Sequence, residues 1–179
     1  MPEMLTHGVL VAVEDLGLLL RGASGTGKSE LAIELLSRGH KLIADDAVEW
    51  RRDSHGRIIG SCPALLSGFI EVRGLGVLDA RALYGKDSVI AEAALDLVID
   101  LGVRADPSAE ERLSGRRGIF TLLDRPIPEI SLPRRVGHNL AVLVEAACRD
   151  HRLRLAGYRA DEVLVERQLR RLESNDDIA

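Results

Sequence analysis

Cysteine is scarce in this chain and does not occur in a spacing typical of a metal site. Only Cys62 and Cys148 are present among 179 residues, and they lie far apart in the sequence. A disulfide framework needs several cysteines in an oxidising compartment, and a structural zinc site needs closely spaced ligands. We therefore expect two reduced thiols, each acting as a small buried apolar side chain, in a cytoplasmic protein.

Long apolar runs and an excess of basic residues are also missing. No apolar run reaches eighteen residues, and no basic stretch followed by an apolar segment opens the chain, so neither membrane insertion nor export is indicated. The chain has 24 basic and 28 acidic residues, and its formal net charge is −4. This balance argues against a nucleic-acid binder that relies on net positive charge. The length fits one domain, expected over residues 1–173, with a frayed tail at 174–179.

The most informative segment that is present reads GASGTGKS, from Gly22 to Ser29. An apolar strand-like run precedes it and a helical pattern follows it, which is the setting of a phosphate-binding loop. Its glycines let the backbone amides point at phosphate oxygens above the helix N-terminus. Lys28 would reach the outer phosphates, and the Ser29 hydroxyl would ligate magnesium. A turn without a ligand would need neither residue. The predicted nucleotide-binding residues are Gly22, Ala23, Ser24, Gly25, Thr26, Gly27, Lys28 and Ser29.

The first half of the chain predicts an α/β fold. Segments 8–13 and 17–21 read as a hairpin-like pair of strands, and residues 29–38 have helical periodicity that ends at Gly39. A short strand, 41–44, follows the helix. Further β-prone runs alternate with turn residues at 48–50, 57–59, 69–74 and 94–100.

The second half begins with a highly charged segment, 104–118, which we expect to be a loop. Three prolines at 126, 128 and 133 indicate an extended segment after it. Asn139 is placed to cap a helix, and Asp161 to cap a final helix in which Val165, Leu169 and Leu172 share one face. That face is either a docking surface for a small protein partner or is packed on its own domain.

Acidic residues supply the other groups that phosphoryl transfer requires. Asp45 and Asp46 follow the 41–44 strand, whose carboxyl end is expected at the phosphate edge of the sheet. Alternation along an extended chain sends their side chains in different directions, so the two are expected to divide the roles of metal binding and base. Glu71, inside an apolar strand, would need a partner such as magnesium or Arg73 if it were buried, but would be unremarkable on an exposed edge. His7 is equally ambiguous when taken alone.

Three stretches together resemble the catalytic domain of HPr kinase/phosphorylase, a bacterial enzyme that phosphorylates a serine of the phosphocarrier protein HPr and reverses the reaction with inorganic phosphate. They are HGVLVAV, then GASGTGKSELAIELLSRGHKLIADDAVEW, then FIEVRGLGVLDARALYG. The resemblance covers nearly the whole chain, and RGHKLIADD and IEVRGLGVLD are more specific than the phosphate loop. It implies a P-loop kinase domain with a central mixed β-sheet flanked by helices, and C-terminal helices.

The resemblance also implies roles for individual residues. The loop with Lys28 would bind ATP, Ser29 and Glu71 would hold Mg²⁺, and His7 would be the active-site histidine. Asp46 or its neighbour Asp45 would be the base. Arg112, in ERLSG, would be the active-site arginine of a loop that in the family reads ERLG. A hexamer that acts in the regulation of the phosphotransferase system and carbon metabolism is implied in the same way.

Departures from the family pattern concern the reverse reaction and the domain organisation. Arg134, Arg135 and His138 lie in the segment that corresponds to the dephosphorylation region, where Arg134, Val136 and His138 replace the usual valine, proline and arginine. Positive charge is kept there, so the segment is a candidate phosphate clamp. His7 lies near the start of the sequence, so we expect a catalytic domain without the N-terminal domain common in the family.

Two other interpretations stay open at this point. A P-loop kinase of a small metabolite would transfer phosphate without HPr. A non-catalytic ATP-sensing module would bind the nucleotide only, although it would have less need of three acidic groups around one phosphate loop.

Overall fold

In the computed structural model the described residues are 2–102, 107–133 and 139–176, with side chains as far as Glu173. They form twelve strands and five α-helices. The strands are β1 Met4–His7, β2 Val9–Val13, β3 Leu16–Arg21, β4 Lys41–Ala44, β5 Ala47–Arg52, β6 Ile58–Ser61, β7 Phe69–Val72, β8 Gly76–Asp79, β9 Glu92–Ala94, β10 Leu97–Asp100, β11 Arg117–Leu122 and β12 Arg125–Ser131. The helices are α1 Lys28–Ser37, α2 Ala80–Tyr84, α3 Ala109–Ser114, α4 Leu140–Leu155 and α5 Ala160–Asp176.

The main sheet has six strands in the order β11-β12-β10-β3-β2-β4. Strands β3, β10 and β12 are parallel, and β2 lies antiparallel between β3 and β4. Strand β4 therefore runs in the same direction as β3 without pairing with it, and both end at one edge. The predicted α/β fold with a mixed sheet is confirmed.

Alternating side chains of the main sheet belong to two separate cores. Val9, Val11 and Leu18 pack with α1 and α4, whereas Leu10 and Leu19 belong to a second cluster with the buried Trp50. Trp50 comes from a four-stranded sheet of order β1-β5-β6-β9. Because successive residues of a strand point to opposite faces, one apolar run can serve both layers. The result is a helix layer, the main sheet and a smaller antiparallel sheet.

Several predicted local features are confirmed. Strands β2 and β3 form a hairpin whose turn residues Glu14 and Asp15 both have positive φ, 50° and 67°, as a tight two-residue turn requires. Gly39 follows α1 with φ 91°, and its amide donates to the Leu36 carbonyl at 3.0 Å. The Asn139 side chain accepts from the Val142 amide at 3.0 Å and caps α4.

The predicted core strand 94–100 is wrong as one element. Ala94 ends β9 in the small sheet, where it pairs with Ile59, and β10 begins only at Leu97 in the main sheet. Between them Asp96 turns inward and accepts the Gly17 amide at 2.9 Å. The apolar run is thus shared by two sheets that meet at this point, which periodicity does not reveal.

The charged segment 104–118, expected to be a loop, contains helix α3. Its start is a capping box in which the Ser108 hydroxyl accepts the Glu111 amide and the Glu111 carboxylate accepts the Ser108 amide. Asp161 lies in the first turn of α5 instead of capping it, and accepts from Arg154 at 2.8 Å. Helix α5 continues to Asp176, into the segment expected to be a tail, and 177–179 lie outside the described residues.

Both cysteines are free thiols, as predicted. Cys148 lies on the buried face of α4, and burial raises the pKa of its thiol to about 12. Cys62 is half-buried, and burial raises its pKa as well. Among the described residues, no helix combines the length and apolar character that a membrane span needs.

Candidate active site

The GASGTGKS segment connects the end of β3 to the start of α1. Gly25 and Gly27 adopt left-handed conformations with φ 80° and 82°, which side chains other than glycine rarely tolerate. The Leu31 amide donates to the Gly27 carbonyl at 3.0 Å, so the loop passes directly into the first helical turn. The Lys28 amine donates to the carbonyls of Gly22 at 2.9 Å and Ala23 at 3.1 Å. A curled loop with a cation and a helix N-terminus suits a phosphate chain.

Asp45 lies just beyond β4 and is 5% exposed. Its Oδ1 accepts the Ser29 hydroxyl at 2.9 Å, and its Oδ2 accepts the Glu71 amide at 2.9 Å. Burial raises the pKa of this carboxyl, while the two hydrogen bonds act in the opposite direction. Asp45 therefore connects the phosphate loop to β7 and keeps both oxygens engaged.

Asp46 has a different environment from its neighbour. Its φ is 65°, and its side chain is 74% exposed. Its Oδ1 lies 3.5 Å from Nδ1 of His7, whose side chain is also exposed. The expectation that the two aspartates point in different directions is confirmed: one is fixed inside, and the other is accessible to a substrate.

His7 lies beside Asp46 because the chain crosses between the small sheet and the main sheet twice, at neighbouring positions. Gly8 separates β1 of the small sheet from β2 of the main sheet, and Asp45 and Asp46 separate β4 from β5 in the opposite sense. The Gly8 amide donates to the Asp46 carbonyl at 3.1 Å. A Cβ on Gly8 would lie 2.7 Å from the Leu19 side chain, so the crossing requires glycine.

Glu71 is exposed on β7, between the buried Ile70 and Val72. Its position in an apolar strand is therefore explained by alternation and not by a buried ion pair. No ion pair joins Glu71 to Arg73 in the described part of the chain. Glu71 instead faces the same cavity as the phosphate loop.

An open cavity of about 250 Å³ brings half of the predicted residues together. Its lining includes Lys28, Ser29, Asp45, Asp46 and Glu71, together with Ser24, Gly25 and Gly27 of the loop. Arg73 also lines it, and sequence reasoning gave this residue no place in the site. The signal available was its spacing of two residues from Glu71, which puts both on one side of an extended chain.

The residues suit magnesium only if a substrate completes its coordination. Across 2–102, 107–133 and 139–176, no three His, Cys, Asp or Glu residues are grouped to hold a metal ion. Ser29 and Glu71 do supply hard oxygen donors beside the phosphate loop. Mg²⁺ is typically bound by one or two protein oxygens together with substrate phosphates and water, so this sparse donor set fits.

Eight predicted residues are not among those that line the cavity. Three of them, Gly22, Ala23 and Thr26, belong to the loop itself, and a fourth, His7, lies beside Asp46. Arg112 is exposed on α3 and is not among the lining residues. Arg134, Arg135 and His138 lie outside the described residues.

Comparison with known proteins agrees with this geometry. The family model described as HPr Serine kinase C-terminal domain matches residues 1–168. The HPr kinase/phosphorylase of Caldanaerobacter subterraneus is 42% identical over 171 residues, which cover 96% of this chain and 56% of the relative. The protein of the same name from Xanthomonas campestris is 43% identical over 175 residues, 96% of this chain and 55% of the relative. The chain thus spans about half the length of these curated relatives.

A solved structure matches the whole architecture. It is described as the Hpr(Ser) kinase/phosphatase from Coxiella burnetii, and it superposes with a TM-score of 0.82 at 31% sequence identity. The match covers 90% of this chain and 98% of that one. The overall fold is therefore shared with a protein of that name.

Proposed function

The chain belongs to the family of HPr serine kinase C-terminal domains, and we propose that it transfers the γ-phosphoryl group of ATP to a serine of the phosphocarrier protein HPr. The observation that carries this proposal is the exposed Asp46 beside the phosphate loop. A nucleotide sensor needs the loop alone. A kinase also needs an accessible carboxylate within reach of the acceptor hydroxyl.

The two aspartates have separate roles in the proposed reaction. Asp46 accepts the proton of the serine hydroxyl as the serine oxygen attacks the γ-phosphorus atom, and the bond from that phosphorus to the bridging oxygen breaks, so that ADP leaves. Asp45 is unsuited to this step because it is buried and already accepts from Ser29 and Glu71. Its role is to hold those two residues in place. His7, 3.5 Å from Asp46, orients the exposed carboxylate.

The phosphate loop and Lys28 bind the triphosphate chain. Backbone amides and a fixed cation there neutralise charge that develops as the phosphoryl group moves, and they do so without reorganisation. Mg²⁺, held by Ser29 and Glu71 together with the nucleotide, would supply further charge neutralisation. Arg112 is proposed as an additional cation on α3.

We extend the proposal to the reverse reaction. An oxygen of inorganic phosphate attacks the phosphorus of phosphoserine, the bond from phosphorus to the serine oxygen breaks, and Asp46 returns a proton to that oxygen. The products are serine and pyrophosphate. The attacking phosphate needs cationic donors, and Arg134, Arg135 and His138 are the candidates.

Helix α5 supports a protein acceptor or assembly partner over a small metabolite. Its Val165, Leu169 and Leu172 are 39%, 54% and 62% exposed, so the predicted apolar face is not packed on the described part of the domain. An exposed apolar face of this kind is typical of a protein-binding surface. A cytoplasmic hexamer that regulates sugar uptake belongs to the same proposal.

The test is incubation of the purified protein with γ-labelled ATP, Mg²⁺ and HPr. We expect label on wild-type HPr and none on HPr whose acceptor serine is replaced by alanine. Label on neither form would contradict the proposed acceptor. A metabolite kinase would instead consume ATP only when a small-molecule acceptor is added.

The reverse reaction has its own measurement. Phospho-HPr and inorganic phosphate are incubated with the protein, and pyrophosphate is assayed. Pyrophosphate in amounts equal to the dephosphorylated HPr supports phosphorolysis. Loss of phosphate from HPr without pyrophosphate would indicate simple hydrolysis and contradict it.

A further inference from the structure

Arg73 lies against the phosphate loop, although it belongs to a distant part of the sequence. It follows β7, and two of its guanidinium nitrogens are 3.7 Å from the position that a Cβ on Gly25 would occupy. A Cβ at that position would be in ordinary van der Waals contact with the guanidinium, so Arg73 lies beside this part of the loop. Glycine is favoured at position 25 because its φ of 80° would strain a residue with a side chain.

The guanidinium of Arg73 has no protein partner in the described residues. Within the described part of the chain it makes no ion pair within 4.0 Å and no hydrogen bond, yet it lines the cavity with Lys28 and Ser29. Arg81, a few residues further along, shows the usual alternative. Its guanidinium donates to the carbonyl and the hydroxyl of Ser67, both at 3.1 Å.

Two cations thus approach the phosphate loop from different places. The Lys28 amine contacts the Gly22 and Ala23 carbonyls near the start of the loop, whereas Arg73 lies beside Gly25 near its middle. A guanidinium offers several N–H donors in a planar fork that matches two oxygens of one phosphate group. A lysine amine acts as a point charge and does not duplicate this geometry.

We propose that Arg73 is a nucleotide-binding residue whose guanidinium donates to the terminal phosphates of ATP from outside the loop. This rests on the proposed function, because it assumes that ATP occupies the cavity. Arg73, just after β7, and Lys28, at the start of α1, would thus bind the phosphate chain together. Arg73 thereby connects the phosphate chain to the strand that carries Glu71.

The test is nucleotide affinity of Arg73→Gln, Arg73→Lys and the control Arg81→Gln, measured by calorimetry with ATP, ADP and AMP. We expect Arg73→Gln to weaken ATP binding by about 10- to 100-fold, the range for loss of a charge-assisted hydrogen-bonded contact. Arg73→Lys is expected to lie between wild type and the glutamine variant, since it keeps the charge but loses the fork. AMP binding and the Arg81→Gln variant are expected to remain within twofold of wild type.

The outcomes separate this inference from the proposed function. ATP affinity of Arg73→Gln within twofold of wild type would overturn it, and so would an equal loss for AMP, which indicates a structural role. If Arg73→Gln does not fold, Arg73→Lys alone decides, because a purely structural role of the charge predicts wild-type ATP affinity for that variant. HPr is absent from the assay, so wild-type protein that binds ATP but labels no HPr contradicts only the proposed acceptor.

Discussion

The two ends of helix α1 use charge in opposite ways. At the C-terminal end, Arg38 donates to both carboxylate oxygens of Glu145 at 2.7 Å, and Nε2 of His40 lies 2.9 Å from the same group. At the N-terminal end, the cations Lys28 and Arg73 have no carboxylate within ion-pair distance among the described residues. The helix is therefore fastened to α4 at one end and left with unpaired charge at the other.

The difference separates structural charges from functional ones. The hydrogen bonds from Arg38, and after them that from His40, lower the pKa of Glu145 to about 2, so its ionised form stabilises the folded state. Asp46 has only the exposed His7 near it and remains 74% exposed. Charged side chains that line a cavity without such a partner do not stabilise the folded state as Glu145 does, and they are available to bind a substrate.

Asp46→Asn has the largest expected effect on activity among substitutions at the cavity end, which is the N-terminal end of α1 together with the cavity beside it. Asparagine tolerates the left-handed backbone at this position, where φ is 65°, but does not accept a proton. We expect HPr phosphorylation to fall about a thousandfold, within the range for loss of a general base. ATP affinity should be unchanged. The measurement is single-turnover transfer from labelled ATP.

Asp15→Asn is the matched control for Asp46→Asn, because Asp15 also has a positive φ, 67°, in the β2–β3 turn. It should retain wild-type activity. An Asp46→Asn variant within tenfold of wild type would show that the exposed carboxylate is not the base, and the contrast between the two ends of α1 would lose its functional meaning.

Lys28→Ala is expected to have the next largest effect. It removes a preorganised cation from the phosphate loop, which costs at least ~3 kcal/mol of transition-state stabilisation, or more than about a hundredfold in rate. Lys41→Ala, an exposed lysine at the start of β4, is the control and should be neutral. The comparison is kcat/KM for ATP. A loss under tenfold for Lys28→Ala would contradict its assigned role.

Much of the cavity end was predictable because its residues are close in sequence and obey local rules. The loop, α1, Gly39 and β4 follow one another, so chain direction alone brings Asp45 and Asp46 back to the phosphate edge. The antiparallel β2 between β3 and β4 was not foreseen, but it leaves that direction unchanged.

The remaining features depend on tertiary contacts that carry no local signal. Arg73 reaches Gly25 only because Asp45 holds β7 beside the loop. The split of 94–100 depends on two sheets meeting at Asp96. Alternation predicted that the side chains of Asp45 and Asp46 point in different directions, but which of them is buried depends on the change of sheet at this point.

Asp45→Asn tests the role of the buried carboxylate at the cavity end. Asparagine has one side-chain oxygen, so it can accept only one of the two hydrogen bonds that Ser29 and Glu71 donate to Asp45. We expect about a tenfold rise in the Mg²⁺ concentration for half-maximal activity, on the scale of losing a residue that orients metal ligands. Asp96→Asn is the control, because Asp96 is also a partly buried carboxyl with a raised pKa but lies outside the cavity lining.

The pH dependence of Asp45→Asn tests the buried charge. Burial raises the folded-state pKa of Asp45 above its usual 3.8, so the folded state binds the proton more tightly than the unfolded state. Wild type should therefore gain stability relative to the variant as pH falls through the raised pKa, and the gain is complete below 3.8. Urea unfolding at several pH values measures it. A pH-independent difference would contradict the assigned burial.

Glu145→Gln has the smallest expected effect on activity and probes the paired end of α1. Loss of the carboxylate should lower the free energy of unfolding by about 1–2 kcal/mol at pH 7, since it leaves Arg38 and His40 without their partner. The pKa of Glu145 is lowered from 4.5 to about 2, so its stabilisation is full above 4.5 and disappears as pH falls toward 2. The difference between variant and wild type in free energy of unfolding should shrink over the same pH window.

Glu166→Gln is the control. It breaks an exposed pair with Arg170 on α5 and should cost well under 1 kcal/mol. A large loss of kcat in Glu145→Gln with an unchanged fold would contradict this assignment, because it would show that the C-terminal end of α1 contributes to catalysis and not only to stability.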